Sequence, residues 1–394
     1  MLPLENIKIL DLSRLAAGNM VSHMFADFGA DVVKVEKPGK GDDLRNWKIN
    51  GVSHWWAVYS RNKRSISIDL KKDEGLDLLK ELVKKADVFI ENFVPGTLEK
   101  WGIGPEKLNQ LNKNLIILRI SGWGQTGIFK NAPGFGSLVE GMSGFAAMTG
   151  EENQAPLLPP LALADMVAGL TGFGAILMAI LASKKNNTGG QVIDLSLFEP
   201  FFSILGPWAA SYKISGKVPE RIGNRSNVAA PRGIYKTKDN KYVSLSASMQ
   251  SMWEKLALTI GSSDLIKDSR FLTNSDRLNN QDDLDKPISK FIKKYNREEV
   301  LNIFSKEGIT VGPVLDISEI IEHPYIHDRE VLIDHFNKEY GNVLMHQAFP
   351  RLSKTPGKIR YSAPALGDDT NVVLKEIGLS DRQIQMLRKN KIIN

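Results

Sequence analysis

Between residues 7 and 120 five short β-rich runs recur: "IKILDL" (7–12), "DVVKVE" (31–36), "SISIDL" (65–70), "DVFIE" (87–91) and "LIILRI" (115–120). Helical or turn-rich stretches such as "DEGLDLLKELVKKA" separate them. Parallel neighbours in a sheet need a long connection that packs back on the sheet, so this alternation predicts crossover units and an α/β domain with a parallel sheet. "QVIDLSL" (191–197) adds a further strand signal. In such sheets ligands bind beyond the carboxyl ends of the strands, and the loops there are where chemistry is expected.

Near residue 230 the texture changes. "RGIYKTKDNKYVSLSA" reads as a hairpin turning at Asp239-Asn240, and helices rich in Lys, Asn and Asp follow to about residue 307. With 394 residues the chain exceeds one ordinary domain. A smaller α+β domain over 225–329 is therefore expected, inserted after a long helical connection through "FEPFFSILGPWAASYKISG".

The 51 Lys+Arg against 45 Asp+Glu leave a net charge of +6, spread along the chain, which suits an anionic small molecule as well as nucleic acid. No aromatic-rich basic strand accompanies the cations, so nucleic acid is not expected as a partner. The absence of cysteine removes disulfides, thiolate nucleophiles and Cys-based zinc sites, and fits a reducing compartment. The first residues, "MLPLENIKILDLSR", have the wrong charge order for a signal peptide, and the protein reads as cytoplasmic. Met166 to Ser183 carries no charge over eighteen positions, at the threshold for crossing a bilayer. No second such segment exists, and a buried helix in a domain without a membrane partner is the better reading.

"GWGQTG" (122–127) satisfies G-x-G-x-x-G after a strand, but "IFKNAPGFG" follows, and Lys130 to Gly134 cannot form the helix whose N-terminus would hold a pyrophosphate. Glu36, at the end of the second strand, sits where a ribose-binding acid would, although the first strand is followed by a single glycine. His323 and His327 have helical metal-pair spacing, yet Pro324 marks a first helical turn and no metal is expected. Arg61, Lys63 and Arg64 in "RNKRS" read as a solvated charge run or as part of a phosphate clamp, with Lys37, Arg45 and Lys100 at other loop or helix ends. Asp165 in "ALADMVAG" has no cation in the sixteen residues before it or the eighteen after. Its spacing suits a helix N-cap accepting from the amides of Val167 or Ala168. A carboxylate there, beside an apolar surface, is also a capable nucleophile.

Set together, "ILDLSRLAAGNMVSHMFADFGADVVKVEKPGKGD", "NKRSISIDLK", "ADVFIENFVPGTLEKWG", "GWGQTG…APGFGSLVEGMSG", "LALADMVAG" and "APALGDDTNVVLKEIGLS" give the chain a resemblance to the class III coenzyme A transferases. This is the CaiB/BaiF-like family of formyl-CoA and carnitine CoA transferases and of α-methylacyl-CoA racemase. The resemblance runs almost end to end. It implies a Rossmann-like large domain built from both chain ends (1–224 and 330–394), the smaller domain between, and two subunits interlocked as a homodimer. It also implies transfer of CoA from an acyl-CoA to a carboxylic acid, with coenzyme A as substrate and no permanent cofactor. Asp165 would be the nucleophile, passing through an anhydride and an aspartyl-CoA thioester. The family's CoA contacts fall on Ala16, Ala17, Lys37, Ile68, Lys71, Asn92, Phe93, Val94 and Lys100, with Gly134, Phe135 and Gly136 at the pantetheine end.

Two departures narrow the activity. Racemases of this family pair the aspartate with a histidine, and the matching position is Phe135, which cannot move a proton. Formyl-CoA transferase has glutamine at Ala16 and a glycine-rich loop that "VAAPRGIYKTKDNK" lacks, which argues against oxalate as acceptor. Dicarboxylic acids such as succinate or mesaconate, or a carnitine-like acid, are the expected partners. An acyl-CoA epimerase and a non-catalytic CoA-binding protein are the rival readings.

Overall fold

The six β-rich runs form one sheet in a computed structural model that describes residues 1–394. β1 (Lys8–Asp11), β2 (Asp31–Glu36), β3 (Lys63–Ser67), β4 (Val88–Glu91), β5 (Ile116–Ser121) and β6 (Val192–Ser196) lie in the order β3-β2-β1-β4-β5-β6. Every pairing is parallel. This is the doubly wound, Rossmann-like order, in which the direction of winding reverses between β1 and β4 and opens a crevice there.

Both faces of the sheet are covered, as near-continuous apolar strands require. On one face Leu10, Val33, Ile66, Phe89 and Ile117 pack with Leu79 of the Asp73–Val83 helix and with Val373 and Ile384 of the two C-terminal helices, Thr370–Glu376 and Asp381–Lys389. The chain's last residues thus complete a core begun by its first. On the other face lie the Leu15–Asp27 helix and the Leu163–Asn186 helix. Gly172 lets the latter approach closely, because a side chain there would press on Val21, Leu118 and Leu195.

The Leu163–Asn186 helix is long and apolar enough to cross a membrane by length and composition. Here its glycine side packs inward, while Leu170, Met178 and Leu181 remain exposed. It begins before the expected segment. Ala162 occupies the cap position and Asp165 lies in the first turn, so the N-cap expectation for Asp165 is corrected. The physical reason comes from another helix, Gly136–Met142, whose buried Glu140 accepts the free Ala164 N–H at 3.1 Å.

β3 starts at Lys63 instead of Ser65, which overturns the reading of "RNKRS" as a solvated run or clamp. Arg61 is fully buried and donates to both Asp27 oxygens, at 3.1 and 2.6 Å, and to the His346 carbonyl at 2.7 Å. Lys63 is buried against Asn19, and Arg64 is taken up by Asp31 and Glu376. Glu36 and Arg45 are likewise withdrawn from ligand duty, since they pair with each other at 2.7 Å.

The chain divides into two compact units, Met1–Ser143 with Pro159–Gly206 and Arg329–Asn394, and Gly144–Leu158 with Pro207–Asp328. The second therefore begins earlier than residue 225 and recruits a segment from before Asp165. Arg221 explains this by donating to the carbonyls of Ala147, Glu151 and Glu152. Its antiparallel sheet joins β7 (Arg232–Lys236), β8 (Tyr242–Ser246) and β9 (Val311–Val314), with Asn240 left-handed in the expected hairpin turn at φ +61°. Helices close a core of Trp253, Phe271, Ile288 and Phe304 beside it. A second hairpin, β10 (Leu332–Asn337) and β11 (Gly341–His346), belongs to the first unit.

Candidate active site

Two adjoining cavities of about 480 and 510 Å³ run along the carboxyl ends of the parallel strands, within the first unit. Arg14, Asp43, Phe93 and Val94 line both, so they form one cleft. The outer part is rimmed by cations from three loops: Arg14 after β1, Lys37 and Lys40 after β2, and Lys71 after β3. Lys37, Lys40 and Lys71 are exposed, and their charges are available to an anionic ligand. Ile68, Phe93 and Trp101 supply apolar walls.

The inner part takes Ala17 after β1, Asn92 to Pro95 after β4, Gly122, Trp123 and Lys130 to Phe135 after β5, Leu197 after β6, and Asp165. Asn92 is fixed against the β1 loop, accepting from Arg14 N at 2.8 Å and donating to Arg14 O at 2.7 Å. The glycines of "GWGQTG" and "APGFG" have a steric purpose. A Cβ on Gly122 would lie 2.5 Å from the Cα of Gly134, and one on Gly134 would lie 2.6 Å from the Cα of Gly122. Two backbones cross there, and any side chain would force the loops apart. A Cβ on Gly136 would overlap Asp165 Oδ2, so only glycine leaves room for the carboxylate.

Asp165 is half-buried at the inner end. Burial and the neighbouring Glu140 push its carboxyl up to about 6, against the pull of its own amide and that of Ala17. At neutral pH it is thus an ionised carboxylate held by few donors, with its basicity raised above that of an aspartate in water. Because Glu140 meets the Ala164 amide, Asp165 is not consumed in capping and keeps its oxygens at the cavity.

The cleft gathers ten of the thirteen residues expected from the sequence. Lys37, Ile68 and Lys71 line the outer part, Ala17, Asn92, Gly134 and Asp165 the inner, and Phe93 and Val94 both. Phe135 stands at the inner part with its ring largely exposed, and Gly136 abuts Asp165 from behind. Ala16 is buried and Lys100 is exposed on the short Thr97–Lys100 helix; neither lines the cleft. Sequence reasoning missed Arg14, Lys40, Lys130 and Glu140. Glu140 lies in "GSLVEGMSG", but no local spacing links it to a carboxylate on a different helix.

A doubly wound domain whose cleft leads from a cationic rim to a sheltered carboxylate is built to hold an anionic ligand against that carboxylate. The sequence profile of CoA-transferase family III matches residues 4–370, and the chain belongs to this family and is a CoA-transferase. It is 35% identical over 396 residues to the succinyl-CoA–D-citramalate CoA-transferase of Chloroflexus aurantiacus, spanning 99% of this chain and 98% of that one. The succinyl-CoA:glutarate CoA-transferase of Homo sapiens is 32% identical, over 95% of this chain and 86% of its own. The crystal structure of a CaiB/BaiF family protein from Brucella suis superposes with a TM-score of 0.84 at 32% identity, covering 95% of this chain and 99% of that one.

Proposed function

We propose that the protein moves CoA from succinyl-CoA, or a closely similar dicarboxylic acyl-CoA, to a second dicarboxylic acid, with Asp165 as nucleophile. The single observation that carries this is the Asp165 carboxylate, raised in basicity, uncapped, and seated at the inner end of the cation-rimmed cleft. The outer cations suit the phosphates of CoA. Lys130 forms no ion pair within the chain and lines the same cavity as Asp165, which suits the far carboxylate of a dicarboxylic acyl group. The names of the Chloroflexus and human relatives support the same substrate class.

In this reading a carboxylate oxygen of Asp165 attacks the thioester carbonyl, and the C–S bond breaks to give a mixed anhydride and CoA thiolate. The thiolate attacks the aspartyl carbonyl and releases the donor acid, leaving an aspartyl-CoA thioester. The acceptor carboxylate attacks that thioester, and the thiolate then takes the acceptor's acyl carbon, restoring Asp165. No proton is gained or lost, which suits a site with Phe135 where a second base would stand. The amide of Ala17 is the nearby donor for oxyanions on the aspartyl carbon.

Incubation with succinyl-CoA, hydroxylamine trapping and peptide mass analysis test this directly. An Asp165 hydroxamate is expected; turnover with Asp165 never modified would overturn the assignment. A second copy of the chain is proposed as the cover for the exposed apolar flank of the Leu163–Asn186 helix, where Leu170, Met178 and Leu181 adjoin solvent. Sedimentation at a dimer's mass is expected.

A further inference from the structure

Leu15 opens the helix after β1 with φ +61°, a left-handed conformation that a bulky residue adopts only when its surroundings impose it. Its two backbone polar groups are both held by buried side chains. Asp42 Oδ1 accepts Leu15 N–H at 2.9 Å, and Asn19 Nδ2 donates to Leu15 O at 2.7 Å. Asn19 also donates to Asp42 Oδ2 at 2.7 Å, locking the two clamps together.

Behind them stand two buried lysines. Lys34 pairs with Asp42 at 2.9 Å and with Asp11 at 3.2 Å, and it donates to the Ser13 carbonyl. Lys63 donates to Asn19 Oδ1 at 2.9 Å and to Asn19 O at 3.1 Å. Asp11 in turn accepts from the backbone N–H of Ser13 at 2.9 Å. None of Asp11, Asn19, Lys34, Asp42 or Lys63 is more than 5% exposed, and the reaction uses none of them as an acid, base or nucleophile. Burying so many charges is costly unless something is gained in return. What they hold is one short segment, residues 13–17, the turn after β1 and the first helical residues, pinned from both sides of a strained residue. At its far end lies Ala17, which lines the inner cavity together with Asp165 and packs on the Asp165 helix so closely that a Cβ on Gly169 would lie 3.0 Å from its carbonyl oxygen; its amide favours the Asp165 carboxylate.

We propose that Asp42 is a positioning residue of the transfer reaction: with Asn19, Lys34 and Lys63 behind it, it holds Leu15 left-handed and so aims the Ala17 amide at Asp165. The inference rests on Asp165 being the acylated group. Where Leu15 is released, relaxation of its φ rotates the following peptides, and the Ala17 N–H leaves the position where it meets charge developing on the aspartyl carbon. Loss of one such preorganised donor lowers a chemical step about 100- to 1,000-fold, so a partial displacement is expected to cost at least tenfold.

The test is a cycle of two substitutions read by single-turnover acylation of Asp165 with succinyl-CoA. Asp42→Asn keeps the shape, but donors face both Asp42 oxygens, so the amide nitrogen opposes either Lys34 and Asn19 or the Leu15 and Leu44 amides, and the link that locks the two clamps together or the hold on Leu15 itself is lost. Expected is an acylation rate at least tenfold lower, with succinyl-CoA affinity changed less than about threefold. Leu15→Gly removes the steric cost of the left-handed conformation. In that background, whatever its own rate, Asp42→Asn is expected to cost no more than about threefold. An equal loss from Asp42→Asn in both backgrounds, or an unchanged acylation rate in the native background, overturns the inference. If Asp42→Asn fails to fold, Asn19→Ala reads the same coupling through the Leu15 carbonyl. No adduct on Asp165 in the native chain overturns the nucleophile assignment together with this inference, whereas a normal adduct with an unchanged Asp42→Asn rate overturns this inference alone.

Discussion

Replacing Asp165 by Asn is expected to abolish transfer and yet stabilise the first unit at alkaline pH. Burial, then Glu140, raises the folded carboxyl from 3.8 to about 6, while in the unfolded chain it titrates near its ordinary value. Between these two values the folded state holds a proton that the unfolded state has released. Stability from this group is therefore fully present below about pH 4 and lost as the pH rises through about 6. Above that, the folded protein carries an ionised carboxylate at a cost of up to about 3 kcal/mol, the free-energy equivalent of the shift. Asn fills the same volume and carries no charge, so the cost disappears. The assay is urea unfolding of the native chain and the variant, followed by tryptophan fluorescence, at pH 8 and pH 5. The variant should unfold at higher urea at pH 8, with an advantage about half as large at pH 5, where the native carboxyl is mostly protonated. A variant less stable than the native chain at pH 8, or an advantage equal at the two pH values, would refute the claim that this carboxylate is kept ionised against its surroundings.

The same titration should appear in the kinetics: kcat/KM for acyl transfer is expected to fall about tenfold per pH unit below about 6, as Asp165 protonates and ceases to be a nucleophile. Gly136→Ala places a methyl group on Asp165 Oδ2 and should lower Asp165 acylation by at least about 100-fold while costing only about 1–3 kcal/mol of stability, measured by single-turnover labelling and denaturation on one preparation. Lys37→Ala combined with Lys71→Ala should raise the KM for the acyl-CoA about tenfold at low salt with little change in kcat, and the difference should shrink as salt screens the exposed charges. Arg61→Met should destabilise the protein by about 3–5 kcal/mol by stranding buried Asp27, while any folded fraction keeps its KM.

The strands of a parallel sheet, the antiparallel hairpin near residue 237 and the apolar helix after Asp165 were legible in the chain alone, whereas the order of the strands in the sheet came only with the fold. Each rests on a periodicity or turn chemistry that neighbouring residues supply to one another, and the motif order carried the family. Asp165 itself could be picked out because an acidic residue amid so long an uncharged stretch is conspicuous. Its freedom to react could not. Local spacing makes it a helix cap, and only the folded chain brings Glu140, 24 residues earlier, to the Ala164 amide so that Asp165 is released from that duty.

The same division explains the cations. Arg61, Lys63 and Arg45 read as solvated charges or parts of a phosphate clamp in the sequence because composition reports how many charges a chain has, not how they pair. Their partners Asp27, Asn19 and Glu36 come from other strands and helices, and burial makes those pairings obligatory. Lys37 and Lys71 stay open to solvent because they fall in loops just past the strands' carboxyl ends, where the sheet can cover nothing. What the sequence determined was which elements form and which side chains can carry chemistry. Tertiary structure alone decided which charges are spent on holding the fold and which are left for a substrate, since that depends on the partner each meets across the sheet.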